Sequence, residues 1–339
     1  MERKGVTRKG MPLLVAGDVM LGRGVASSYD AIEEGLKDIR ATLALCPLVA
    51  NLESPVCEVH PTAEHGFRAD PAKCESILRS FDALSVANNH ALDCGLKGFR
   101  ETIDTLKDVG VAVIGYRPGG SLQEPARFAI DGRILSIIGL LDARLLPEAV
   151  DSDIATCDDI ITVRREILKA RNNADCLICL LHAGDEMTSF PIEHERALPT
   201  RLLSDGVDVV VRSHTHTLQG YERTPEGLIL YGLGDFIFDG RTRRRAICGI
   251  VSLAPNEMGV EFTPYIVHRN SDLRPKLSTD CTSNYPPLVV RYQRVRRGVD
   301  LVVYYAERAL DILAVQGLGG IACIASKAIF RLRRRCTRH

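Results

Sequence analysis

Leu13-Leu14-Val15-Ala16-Gly17-Asp18 is a short apolar run that stops on a glycine and a carboxylate, and the same pattern returns four more times along the chain. The run 48–50 leads into Asn51-Leu52-Glu53, the run 83–87 into Asn88-Asn89-His90, the run 176–181 into His182, and the run 207–211 into His214-Thr215-His216. Apolar runs of this length, alternating with amphipathic stretches of helical length, predict an α/β domain rather than an all-α or all-β one. Helices are expected over 29–44, 72–80, 96–109, 160–172 and 194–204, and further strands over 111–114 and 134–141. The runs 228–231, 246–253 and 260–267 read as hairpin-rich sheet, with a turn at Pro255-Asn256. In an open α/β sheet the loops at the carboxyl ends of strands converge on one edge, so donors far apart in sequence can meet there.

The chain has 339 residues, of which 45% are hydrophobic and 25% charged, values typical of a globular protein that buries a core. The catalytic unit is read as residues 12–270. Residues 271–339 are read as a linker, rich in Ser, Thr, Asn and Pro, followed by a helical, basic C-terminal extension. The formal net charge is zero, so no global field exists to hold nucleic acid, and no nucleic-acid partner is expected. The eleven cysteines are scattered through apolar segments. Cys176 and Cys179 form a CxxC, but no second pair stands at zinc-ribbon spacing, so the thiols read as reduced core residues in a cytoplasmic protein.

The five strand-end segments carry the chemistry. Two divalent ions (Mn, Fe, Zn or Mg) need oxygen and imidazole donors, and one carboxylate to bridge them. Asp18 with His216 suits one ion, Asn89, His182 and His214 suit the second, and Glu53 suits the bridge. His90 is then left over as a general acid, or as a group that stabilises charge on a leaving oxygen. His-x-His alone is weak evidence, because alternation in a strand puts both rings on one face whatever their purpose. The ordered set of five segments is far more specific than any one of them. His60, His65, His194, His268 and His339 lack such partners and read as surface residues.

The stretches Gly17-Asp18-Val19-Met20-Leu21-Gly22-Arg23, Asn51-Leu52-Glu53-Ser54-Pro55, Phe67-Arg68-Ala69, residues 87–95, His182-Ala183-Gly184-Asp185-Glu186, Ser213-His214-Thr215-His216 and residues 231–239 resemble the CapA family, within the metallophosphatase-like superfamily and tied to poly-γ-glutamate capsule synthesis. The resemblance runs over about residues 12–240. It implies a four-layer α/β/β/α sandwich with a metal pair at the sheet edge, and a metal-dependent hydrolase acting on an anionic small molecule or polymer, through a phosphoester or a γ-glutamyl-type amide. Departures stand out. The superfamily's Asp-x-His opening is Asp18-Val19-Met20, its His-Trp-Gly pattern is His182-Ala183-Gly184, Asp235 replaces a common Asn, and Ser213 stands where a further histidine is frequent.

Arg23 and Arg68 are candidate clamps for an anionic substrate, since a guanidinium offers a planar fork to phosphate or carboxylate; the competing reading is a structural salt bridge. Asp93, Glu186 and Asp235 are candidate outer partners that fix imidazole orientation. A different class of function also fits the departures at Met20 and Ala183: a non-catalytic binding or assembly component of a polymer synthesis or export machinery. Residues 312–330 are apolar and rich in glycine, and end in Arg331-Leu332-Arg333-Arg334-Arg335. They read as a packing helix with a solvated basic end, or alternatively as a tail lying on the inner membrane.

Overall fold

The computed structural model describes residues 11–62, 66–146, 153–240, 247–256 and 259–278. The readings made for His65, His339, the N-terminus and the extension beyond residue 278 lie outside these residues. Two mixed sheets form the centre. The first runs β14-β13-β12-β1-β2-β3-β4, where β1 is Leu13–Val19, β2 Leu48–Leu52, β3 Ala83–Ser85, β4 Ala112–Ile114, β12 Ile247–Asn256, β13 Gly259–Arg269 and β14 Pro275–Leu277. A short strand, β11 (Asp235–Ile237), also pairs with β1. The second runs β5-β6-β7-β8-β10-β9, where β5 is Ala126–Ile130, β6 Arg133–Leu141, β7 Cys176–His182, β8 Val209–Ser213, β9 Tyr221–Thr224 and β10 Gly227–Leu230.

β1 to β4 are mutually parallel, as are β6, β7, β8 and β10, while the flanking strands β12, β13, β14, β5 and β9 join antiparallel. Side-chain alternation sorts the core into layers. Leu13 and Val15 of β1 pack with Ile137, Ile178 and Val209 between the sheets. Leu14 and Ala16 face the other way, onto α1 (Tyr29–Thr42), α2 (Pro71–Leu78) and α3 (Gly95–Asp108), through Ile32, Leu36, Ile77, Phe99 and Ile103. Leu177, Cys179 and Val210 of the second sheet face α4 (Ile160–Arg171) and α5 (Glu193–Ser204) through Val163, Ile167 and Leu202. Helices therefore cover the outer faces of both sheets. Strands buried on both faces read as continuous apolar runs, which is why β1, β7 and β8 were visible as such.

Two helix starts, those of α2 and α4, follow ordinary capping rules. Asp70 accepts from the Ala72 N–H ahead of Pro71, and Asp159 accepts from Ile161 and Thr162. Four strands escape the sequence reading: β5, β9, β11 and β14. Each is short or half-exposed, with polar residues interrupting the alternation, as in Tyr221-Glu222-Arg223-Thr224. β14 also moves a boundary, because residues 275–277, read as linker, form the edge of the first sheet against Val267–Arg269. The CxxC cysteines sit on opposite faces of β7, Cys176 between the sheets and Cys179 toward the helices, so they cannot pair. Burial pushes Cys176 up to about 12 and Cys179 well above the ordinary thiol range, which leaves no thiolate for redox chemistry.

The strand ends meet because β1 and β11 approach closely. The Asp18 N–H donates to the Gly234 carbonyl at 2.9 Å, and a Cβ on Gly17 would stand 1.9 Å from that same oxygen. Gly17→Ala is therefore expected to destabilise by about 1–3 kcal/mol, the usual range for overpacking. Gly24→Ala, whose new Cβ would meet nothing nearer than 3.5 Å, should be close to neutral. Urea unfolding midpoints of the two variants check the contrast; equal midpoints would mean that the β1–β11 contact does not constrain the fold.

Candidate metal centre

Parallel register carries Asp18, Asn51 and Glu53 to the ends of β1 and β2, and aligns Asp18 with both Asn51 and Asp235. In the second sheet His182 pairs with Ser213, which puts the His214-Thr215-His216 loop beside it. The two edges then touch. The Asn51 side-chain amide donates to Asp18 Oδ1 at 2.8 Å and lies 3.2 Å from His182 Nδ1, and the His214 N–H donates to Asp18 Oδ2 at 3.2 Å. Asp18, Glu53, His182 and Asp235 are each at most 1% exposed.

Three imidazoles share one arrangement. His182 Nδ1 is 2.8 Å from Ser213 Oγ, His216 Nδ1 is 2.7 Å from Asp235 Oδ1, and His90 Nδ1 is 2.9 Å from Asp93 Oδ2. Their Nε2 atoms all face Glu53 Oε1, at 3.9, 3.6 and 4.0 Å respectively. These spacings exceed a hydrogen bond. Those of His182 and His216 match two ligands of one ion, since bonds of roughly 2.1 Å place cis to trans donors about 3–4 Å apart. Asn89 Oδ1 lies 2.6 Å from His182 Nε2, adding an amide oxygen on the same side. Donor atoms of Glu53, His182 and His214 lie within 4.8 Å of one another, and so do those of Asp18, Glu53 and His216. Glu53 belongs to both groups, and the donor set of carboxylate, imidazole and amide oxygen suits borderline and hard divalent ions.

Burial sets the electrostatics. Desolvation raises the Asp18 carboxyl to about 6, with the Asp235 charge adding to the rise while His216 and the hydrogen bonds from Asn51 and the His214 N–H oppose it. Desolvation, followed by repulsion from His214, His216 and His90, holds His182 well below the ordinary imidazole value. His182 is therefore neutral at physiological pH, the form in which imidazole accepts a metal. Both His214 and His216 adopt positive φ, 85° and 55°. Such strain in non-glycine residues costs energy and persists where surrounding contacts over-determine it.

The remaining candidates fall at different distances from this centre. Asp93 and Asp235 contact the Nδ1 atoms of His90 and His216, and Asp93 also accepts from the Phe67 N–H at 2.6 Å while Phe67 stacks on His90 at 4.0 Å. Glu186 differs from expectation: its carboxylate lies within 4.8 Å of ring nitrogens of both His214 and His216, among the donors themselves. Arg23 is engaged in an ion pair with Asp239 and lies 4.5 Å over the Phe67 ring. Arg68 donates to the Cys57 carbonyl at 3.0 Å. Arg23 thus makes a salt bridge, whereas Arg68 is engaged by a backbone carbonyl and not by a carboxylate. His60, His194 and His268 are exposed, as read.

Several contributors carried no signal in the sequence. Asn51 was quoted only as a strand end, yet it links Asp18 to His182. Arg269, on β13, lies 3.7 Å from Asp235 and donates to the Phe238 carbonyl, so the His216 partner sits beside a buried cation. Arg212 is 1% exposed and donates to the Ala183 carbonyl at 3.2 Å. A Cβ on Gly184 would lie 1.9 Å from its guanidinium, and Gly184 has φ 103°, so the loop after His182 requires glycine there. Met20 is fully buried, with its thioether accepting from the Gly22 N–H at 3.1 Å.

The chain is 28% identical over 258 residues to the capsule biosynthesis protein CapA of Bacillus anthracis, covering 69% of this chain and 62% of that one. It is 27% identical over 269 residues to the PGA biosynthesis protein CapA of Bacillus subtilis (strain 168), covering 74% and 70%. Among solved structures it is similar to a 5'-nucleotidase from Candida albicans, with a TM-score of 0.46 and 12% identity over 90% of this chain and 59% of that one. The family described as bacterial capsule synthesis protein PGA_cap matches residues 12–240, more than half of the chain, and the chain belongs to that family.

Proposed function

We propose that the chain is a metal-dependent hydrolase of capsule or extracellular polymer biosynthesis, acting on a phosphoester or γ-glutamyl-type anionic substrate. The observation that carries this reading is the convergence of three imidazole Nε2 atoms on Glu53 Oε1 at 3.6–4.0 Å, each ring tied at Nδ1 by an outer partner. Tied rings present a fixed lone pair, which is the preorganisation that metal ligation and proton transfer both need. Asp18, Glu53 and His216 would hold one divalent ion, and Glu53, Asn89, His182 and His214 the other. Bound there, the ions supply Lewis acidity toward a phosphoryl or carbonyl oxygen and acidify water near neutral pH.

The protein's own groups do the rest. His90 is partly exposed, unlike His182, so it can meet a substrate while Asp93 fixes its ring. That suits it to hold and deliver a proton to a leaving oxygen. Asp235 and Arg269 keep the His216 ring in one tautomer. The capsule role comes from the names of the relatives, CapA of B. anthracis and of B. subtilis, together with the family. A reducing cytoplasmic location belongs to the same proposal, supported by the scattered buried thiols. Among the described residues no helix is long and apolar enough to cross a membrane.

A second reading, a binding or assembly component without turnover, is favoured by the engagement of Arg23 with Asp239 and of Arg68 with Cys57, which leaves the clamp unassembled. Hydrolysis decides between them. With Mn²⁺ added, the chain should turn over an aryl phosphomonoester, an aryl phosphodiester or a γ-glutamyl anilide, and His90→Ala should lower kcat by about 10²–10⁴-fold. His182→Ala and His214→Ala should each lose bound metal by elemental analysis. Metal bound without turnover of any of the three substrates would leave the binding role.

The pH dependence has a defined sign. The Asp18 carboxyl is raised in the folded chain from 3.8 to about 6, so the unfolded state binds fewer protons across that window, and the metal-free protein loses stability as pH rises through it. Asp18→Asn should remove this loss. The metal-free variant should gain about 2–3 kcal/mol on the wild type between pH 4 and pH 7, read from paired denaturant midpoints. His182, whose depressed value acts in the opposite direction, is common to both chains and cancels. A difference that stays constant across the range would show that Asp18 is not the desolvated acid described above.

A further inference from the structure

We propose that Glu186 is a direct ligand of the ion held by Asp18, Glu53 and His216, a reading that rests on the metal-dependent function above. Its carboxylate oxygen and ring nitrogens of His214 and His216 all lie within 4.8 Å of one another. The other carboxylates of the centre, Asp18 and Glu53, are buried, while Glu186 is partly exposed.

The loop that bears it is fastened on both sides, so its position is built into the fold. The Asp185 N–H donates to Glu195 Oε1 at 2.8 Å, and the Met187 N–H donates to the Thr215 carbonyl at 2.7 Å, between the two histidines. The Thr188 carbonyl accepts from Thr217 Oγ1 at 2.7 Å and from Gln219 Nε2 at 2.6 Å. Met187 and Thr188 are at most 1% exposed. The backbone at Glu186 is thereby tied to the histidine loop, which reduces the entropy lost when its side chain is ordered on an ion.

The Asp18 group also needs the donor more than the other does. Asp18, Glu53 and His216 amount to two carboxylates and one imidazole, whereas the second group has two imidazoles, the shared carboxylate and the Asn89 oxygen. Met20, two residues beyond Asp18, gives its sulfur to the Gly22 N–H. Adding Glu186 makes the first position rich in carboxylates and the second rich in imidazoles. The two ions then differ in preference: the first position suits a hard ion such as Mn²⁺ or Mg²⁺, the second a borderline ion such as Zn²⁺.

The test titrates metal-free, full-length protein with Mn²⁺ and counts bound ions by electron paramagnetic resonance. Wild type should bind two, and Glu186→Gln should weaken one of them by about tenfold or more. Asp18→Asn should weaken the same ion, and the double variant should hold the remaining ion no more weakly than Asp18→Asn alone. A second readout separates a ligand from an outer partner: Co²⁺-loaded Glu186→Gln should show a changed visible spectrum, because a bound oxygen has been lost. Two ions held with wild-type affinity, a spectrum superposing on wild type, or further weakening in the double variant would each overturn the assignment while leaving the metal centre standing. No Mn²⁺ bound by wild type would remove the centre as well.

Discussion

Carboxylates without water are the constraint on which this molecule is organised. Asp18, Glu53 and Asp235 come together at the joined edges of two sheets, each at most 1% exposed, and an ionised carboxylate in such a place is costly unless positive charge or hydrogen bonds compensate it. The fold supplies part of the compensation. Asn51 and the His214 N–H donate to Asp18, and Arg269 stands beside Asp235. Burial still raises the Asp18 carboxyl, so these contacts offset its desolvation only in part.

The imidazoles respond to the same constraint. Burial keeps His182 neutral, so it brings no charge of its own and presents a lone pair. Each ring is held from behind, His182 by Ser213, His216 by Asp235 and His90 by Asp93, and each turns Nε2 to one carboxylate oxygen. The repetition of one motif on three separate loops sets this cluster apart from a chance gathering of polar residues. The loops themselves tolerate unusual backbone to achieve it, as the positive φ of His214 and His216 and the glycine demanded at position 184 show.

The two arginines near the cluster are already engaged. Arg23 stacks over Phe67 next to His90 but is joined to Asp239, and Arg68 is turned to the Cys57 carbonyl. An anionic substrate that reached Arg23 would compete with Asp239 for an exposed guanidinium. An ion pair at that exposure is worth little, so the exchange is not costly.

What the sequence determined by itself was the set of candidate donors and their order, because parallel strands buried on both faces announce themselves as apolar runs and polar residues at their ends are conspicuous. Asp18, Glu53, Asn89, His90, His182, His214 and His216 were legible in this way, and so were the helices whose apolar periodicity is strong, such as α3. The tertiary structure alone decided what depends on side-chain direction and on pairing between distant segments. Asn51, Ser213 and Arg269 act on the centre through such contacts. Strands β5, β9, β11 and β14 exist because a neighbour offers hydrogen bonds and not because their residues demand it. Glu186 belongs with these: one carboxylate in a loop says nothing about its neighbours until the backbone ties from Glu195, Thr215, Thr217 and Gln219 bring it to the histidines. Local pattern specifies which groups reach a sheet edge, and only the packing of two edges against each other specifies which atoms face a common point.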